Sequence, residues 1–299
     1  MRTRSTLLSV LTLSLVGTAA AEDFAKYQVV STQLAEHLYL LTGAGGNMAA
    51  YVGPDGVLLV DDDFEAMNEK LRAAVTGISE KPVRFVVITH WHFDHVGGNE
   101  ALARTGALII AHENVRKRMA AGQLITLIDQ QIPPASAEAL PVITMTDSLT
   151  IRVGDEDVVV FHVPRAHTDG DAVVLFRKAN VIHAGDIFFN CGYPFIDISS
   201  GGTIDGMIAA ADTILKLSDE KTRIIPGHGL VTDRAGLEIY AQLLRDFREA
   251  IAREIASGKS LEEIRAAKPT AALDERWGKV FFPPEMFTEV VFRSLKREP

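Results

Sequence analysis

Four side chains with metal-ligating chemistry fall within six residues, in the run His90-Trp91-His92-Phe93-Asp94-His95. Imidazole nitrogen and carboxylate oxygen are donors that zinc takes at about 2.0–2.2 Å. No regular helix puts all four on one face. A tight turn, however, can aim His90 and His92 at one centre and Asp94 and His95 at another. Gly97-Gly98, just downstream, allows such a turn and a close return of the backbone. Three further candidates end apolar runs beside glycine. His167 lies in Pro164-Arg165-Ala166-His167-Thr168-Asp169-Gly170-Asp171, Asp186 closes Val181-Ile182-His183-Ala184-Gly185-Asp186, and His228 lies in Pro226-Gly227-His228-Gly229. Each alone reads as a turn aspartate or a surface histidine. Together with the first four they make a binding set. His37, His112, His162 and His183 are not needed to fill it, and His162 and His183 read as packing residues with a partner.

The elements that must position these residues are legible as apolar runs between turn signals. Residues 38–41, 48–52 and 57–61 predict strands, with Gly53-Pro54-Asp55-Gly56 as a turn. Residues 65–76 carry Met67, Leu71 and Val75 at helical spacing. The run from Val83 to Thr89 is apolar almost throughout, as in a strand buried on both faces, and the motif starts where it ends. Helices are predicted over 99–104 and 114–120, a strand over 108–110, and a surface loop over 131–140. Strands follow at 149–153, 157–163, 172–176, 181–184 and 223–225, with helices at 206–217, 232–257, 261–267 and 285–296. Two strand-rich halves with helices between them suggest two sheets packed face to face, helices outside.

Composition sets the class. The chain has 299 residues, 47% hydrophobic and 23% charged, which is ordinary for a globular protein. Its formal charge of −9, with no basic cluster, argues against nucleic acid as a partner. Arg2 and Arg4, the apolar stretch Leu7 to Val16 and the small residues Thr18 to Ala21 read as a cleaved export signal over residues 1–21. That predicts a periplasmic or secreted protein with no membrane contact after cleavage. Cys191 is the only cysteine, so no intramolecular disulfide forms.

The order HxHxDH, then His167, Asp186 and His228, resembles the metallo-β-lactamase superfamily across roughly Tyr27 to Gly229. The resemblance implies an α/β fold, an αββα sandwich of two mixed β-sheets flanked by helices, with the site at one edge. It implies a catalytic domain over residues 22–230 and a C-terminal helical extension over 231–299 packed on it. Two zinc ions per chain are implied, one held by His90, His92 and His167, the other by Asp94, His95 and His228. Asp186 would bridge them, and an outer aspartate supporting a ligand would fall near Asp61. Asp186 sets the chain apart from the true β-lactamases, which carry Cys, Ser or another non-bridging residue there, and brings it closer to glyoxalase II and the lactonases.

Two divalent ions about 3.5–4 Å apart lower the pKa of a shared water toward neutrality and polarise a carbonyl or phosphoryl oxygen. The expected chemistry is hydrolysis of an acyl bond in a small molecule: a lactone, thioester, ester or lactam. Asp94 would bind metal and relay a proton. Asn190 and Tyr193 would donate to a developing oxyanion, and Trp91, Phe93, Phe188, Phe189, Tyr193 and Phe195 would supply an apolar wall. No G-x-S-x-G nucleophile motif occurs. Iron or manganese fits the same donors, so a mono-iron dioxygenase-like protein and a non-catalytic metal carrier stand as alternatives. Oligomeric state has no signal in the sequence.

Overall fold

The apolar runs pair into two mixed sheets whose side-chain alternation decides which faces meet. The computed structural model describes residues 23–280 and 282–296; the expected export segment, residues 1–21, lies outside them. The first sheet runs in the order Val30–Ala35, Leu38–Thr42, Met48–Val52, Val57–Val60, Val83–Val87, Leu108–His112, Ile143–Met145. Its pairs are antiparallel as far as Val57–Val60 and parallel beyond it. The second runs Ser148–Val153, Glu156–His162, Ala172–Phe176, Val181–His183, Arg223–Ile225, Thr232–Asp233. It is antiparallel except where Val181–His183 meets Arg223–Ile225.

Successive residues of a strand face opposite ways, and here both faces are covered. Ala49, Tyr51, Leu58, Val60, Val87 and Ile110 of the first sheet pack on Val158, Val160, Val174, Phe176, Val181 and Ile225 of the second. Their neighbours Met48, Ala50, Leu59, Val86, Ile182 and Ile224 belong instead to a cluster shared with the helices. The result is the αββα sandwich.

Helix Arg234–Ala256 begins where the Asp233 carboxylate accepts from Gly236 N, and it buries Leu237, Tyr240, Ala241, Leu244, Phe247 and Ile251 at helical spacing. Helices Leu261–Ala267, Ala271–Trp277 and Pro284–Lys296 follow, and Ile264, Trp277, Phe287 and Val291 enter the same apolar cluster. The long helix starts two residues later than predicted because Thr232–Asp233 is taken by the sheet. Part of the expected loop over 131–140 is a strand: Gln123–Ile125 and Gln130–Ile132 form a hairpin. Strand Val30–Ala35 is an exposed edge with no apolar run to announce it.

The parallel pairs bring strand ends to one edge of the sandwich. Asp61 follows Val57–Val60, His90 follows Val83–Val87, Asp186 follows Val181–His183 and His228 follows Arg223–Ile225. Ligands in sheets with parallel strands collect at such carboxyl ends.

Candidate metal centre

Six of the seven candidate ligands are buried, and the seventh, Asp94, is half-buried. They form two groups, His90, His92, His167 and Asp186 in one, Asp94, His95 and His228 in the other, with donor atoms in each within 4.8 Å of one another. Asp186 stands between the groups. Its Oδ2 is 3.8 Å from His90 Nε2, 3.6 Å from His167 Nε2 and 3.5 Å from His228 Nε2, while its Oδ1 is 3.2 Å from His95 Nε2. Asp94 Oδ2 is 3.3 Å from His228 Nε2 and 3.6 Å from His95 Nε2.

The motif takes this shape through contacts on either side of it. Asp61 sits at φ 58°, in the left-handed region that aspartate tolerates better than most residues. There its Oδ1 accepts from Thr89 N (2.7 Å), and its Oδ2 accepts from Thr89 Oγ1 (2.7 Å) and His95 Nδ1 (2.8 Å). Gly97 lies so close to the Asp63–Glu65 backbone that a Cβ would come within 2.2 Å of Glu65 N. A side chain at Gly46 would meet the His95 ring.

These contacts decide which nitrogen of each histidine is free, because the far nitrogen of a ligating ring is fixed by its own hydrogen bond. Asp61 accepts the Thr89 hydroxyl proton, so Thr89 Oγ1 in turn accepts from His90 Nδ1 at 3.0 Å, leaving His90 Nε2 with its lone pair. His92 Nε2 donates to Asp197 Oδ2 at 3.0 Å and leaves Nδ1. His95 Nδ1 donates to Asp61, and His167 Nδ1 donates to Phe195 O at 2.7 Å. His167 Nε2 and His92 Nδ1 then face each other at 2.9 Å, both as lone pairs. Two such nitrogens repel unless a cation lies between them, and ligands at zinc–nitrogen distance on a tetrahedral ion sit about 3.3 Å apart. Among the described residues, His90 Nε2, His95 Nε2 and Asp186 Oδ1 are buried without a hydrogen-bond partner. Orphans of this kind converging on one space fit a metal centre.

Electrostatics agree. Burial acts to raise the Asp186 carboxyl, but His228, His95 and His90 outweigh it and hold the group anionic; the same balance, with His95 and His228, keeps Asp94 low. Burial would lower His95 and His228, yet Asp186 and Asp94 push both up, His228 to about 9. Protons on these rings thus stand where a cation would balance the carboxylates. Burial takes His90 well down and His167 down to about 4, so both remain neutral donors.

Several supports had no expectation attached. Asp197 also accepts from Ser200 N and Ser200 Oγ, and that hydroxyl in turn accepts from Trp91 Nε1. Its only trace in the sequence is the turn signal Asp197-Ile198-Ser199-Ser200. The Phe195 carbonyl leaves no trace, being backbone. Asp171, pushed up to about 8 by burial, accepts from the backbone N–H groups of His167 and Thr168 and shapes that turn.

The expected aromatic wall divides. Trp91, Phe188, Phe189 and Tyr193 are buried in the core, with Phe189 stacked on His228, whereas Phe93 is half-buried. Phe195 stacks on His92 at 5.6 Å. Tyr193 OH donates to Asp274 Oδ1 at 2.7 Å, and Asn190 Nδ2 donates to Leu230 O at 2.7 Å. His183 lies between Asn47 O and Gly185 N, and His162 against Asp171 O.

The profile of the "Metallo-beta-lactamase superfamily" matches residues 41–228, which include all seven candidate ligands. The type 2 metallo-beta-lactamase of Bacillus cereus is 22% identical over 191 residues, 64% of this chain and 69% of that protein. A hydroxyacylglutathione hydrolase of Nitrosococcus oceani is 28% identical over 218 residues, 71% of this chain and 73% of that one. Among solved structures, a metallo-beta-lactamase from Pontibacter korlensis aligns with a TM-score of 0.61 at 19% identity, covering 73% of this chain and all of that one. A sec-alkylsulfatase from Pseudomonas sp. aligns with a TM-score of 0.68 at 17% identity, over 89% of this chain and 50% of that one. These last two likenesses concern the fold.

Proposed function

The chain belongs to the metallo-β-lactamase superfamily, and we propose that it is a two-zinc hydrolase cleaving an acyl bond of a small molecule outside the cytoplasm. The observation that carries this is the place of Asp186, whose two oxygens reach toward histidines of both donor groups. A carboxylate shared in that way suits two ions close together. Zinc bound there supplies Lewis acidity and an acidified water.

The chain's own residues do the rest. Asp94, held ionised and less deeply buried than the other ligands, is the group to orient the attacking water and take its proton. His90, His92 and His167 are held in their ligating tautomers before any metal arrives, and His95, oriented by Asp61, has only to give up its Nε2 proton, so little reorganisation accompanies binding. Asn190 keeps a second amide hydrogen after serving Leu230 O, which makes it the donor for a developing oxyanion. Tyr193, committed to Asp274, has no such part.

Phe93, Phe195 and the exposed Leu230 offer apolar contact to an uncharged acyl group. The names of the relatives, hydroxyacylglutathione hydrolase and metallo-beta-lactamase, support acyl and lactam substrates alike. A panel of lactones, thioesters, carboxylic esters and a chromogenic cephalosporin tests this on zinc-loaded protein. We expect turnover of at least one class, abolished by chelation, restored by zinc, and lowered about 100-fold or more in Asp94→Asn. Zinc-loaded protein inert toward all four classes would make it a carrier. Export over residues 1–21 is part of the proposal, checked by the N-terminus of the secreted chain.

A further inference from the structure

The segment from Tyr193 to Phe195 is anchored by residues that lie beyond the region shared with the family. Tyr193 N donates to Trp277 O at 3.0 Å, Tyr193 OH donates to Asp274, and the Tyr193 ring stacks on Phe287 at 4.8 Å. Two residues on, the Phe195 ring stacks on Phe282 at 5.3 Å with 24° between planes, and Phe282 is 2% exposed. The Phe195 ring also stacks on His92 at 5.6 Å, and it packs edge-on against His167 at 5.8 Å. Phe195 O is also the acceptor that fixes His167. Phe195 thus stacks on both Phe282 and His92.

We propose that Phe282 is a positioning residue of the three-histidine half of the site. It holds Phe195 flat against His92 and, through the Phe195 carbonyl, keeps His167 Nε2 directed at His92 Nδ1. Side chains elsewhere in a core fix volume; this one fixes the angle of a ring in contact with two ligands, and stacked aromatic pairs prefer defined geometries. Its influence is one-sided. His95 and His228 lean on Asp61 and Phe189 instead. The connection between helices Ala271–Trp277 and Pro284–Lys296 would therefore tune one metal of the two.

The inference rests on the metal-site reading above, and its test is metal affinity in the full-length protein, not turnover. Chelator-stripped wild type, Phe282→Ala, Phe282→Leu and Ile264→Ala are titrated with zinc against a competing chromophoric chelator, and melting is followed by circular dichroism. Ile264 is buried in the same cluster, on helix Leu261–Ala267, and serves as the control for lost packing. In Phe282→Ala we expect one zinc to bind roughly 10- to 100-fold more weakly, the range for loss of an outer support, with the other within about twofold. Phe282→Leu, which keeps most of the apolar bulk but not the flat face, should show the same one-sided loss in a chain that melts closer to wild type than Phe282→Ala does. Ile264→Ala should melt earlier and bind both ions as wild type does. Unchanged affinities in both Phe282 variants, or equal weakening of both ions, would overturn the inference while leaving the two-zinc reading intact. A wild type that binds no zinc overturns both.

Discussion

His92 Nε2 stands 3.0 Å from Asp197 Oδ2 across 105 residues of sequence, and this contact is what leaves Nδ1 as the nitrogen free to take a metal. Zinc affinity in Asp197→Ala should fall roughly 10- to 100-fold for one of the two ions, since removing such a carboxylate frees the ring to rotate and to take the other tautomer. Competition titration measures it. Wild-type affinity for both ions would mean that the contact is incidental.

Gly46 makes a steric prediction. A Cβ there would lie 2.1 Å from His95 Cε1 and 2.5 Å from Nε2, so even alanine must push the ring off its place. Gly46→Ala should weaken the ion held with Asp94 and His228 by at least about tenfold while residues 30–60 keep their strand pairing. Zinc stoichiometry at limiting chelator, beside a far-ultraviolet spectrum, decides; an unaltered second equivalent contradicts the placement of His95.

Tyr193 separates packing from catalysis. Its hydroxyl serves Asp274 within the core, so Tyr193→Phe should cost about 1–2 kcal/mol of stability by leaving a carboxylate under-satisfied. Turnover of the best substrate should stay within about threefold, a change in barrier well below 1 kcal/mol. A large loss in kcat with unchanged melting would return Tyr193 to the reaction.

Asp63 gives a pH dependence. Burial raises its carboxyl to about 6 from 3.8, against the pull of the Phe64, Gly45 and Ala44 N–H groups. A raised carboxyl binds its proton more tightly in the folded chain than in the unfolded one. Its contribution is therefore complete below pH about 4 and is lost as pH rises through about 6, on the order of 3 kcal/mol. Urea unfolding of metal-free wild type and Asp63→Asn at several pH values should show that wild type loses this much more than the variant between pH 4 and 7. Parallel profiles would refute the assignment.

What the sequence revealed followed from periodicity and from spacing. Runs such as Val83 to Thr89 announced strands, buried from Val86 onward with Arg84 left exposed, and the sheet ends then had to carry the motif. The candidate donors were readable because seven side chains of metal-ligating type cluster at turns, and Asp61 because it directly follows an apolar strand. What stayed hidden acts over long separations or through backbone. Asp197 reaches His92 only once the two sheets are packed, Phe195 acts on His167 by a carbonyl that every residue possesses, and Phe282 touches the site through an intermediate ring. Thr89 looked like the end of a strand, and only its place between Asp61 and His90 gives it a role. Tyr193 shows the reverse: a chemically apt side chain near Asp186 in sequence, whose hydrogen bond the fold directs to Asp274.

The central claim is that Asp186 joins two histidine groups into one two-metal site. Zinc titration of chelator-stripped protein, wild type beside Asp186→Asn, tests it most directly. We predict two equivalents for wild type, and in the variant one equivalent or less at the same free zinc. A wild type that saturates at a single equivalent, or an Asp186→Asn variant that still binds two with unchanged affinity, would contradict it.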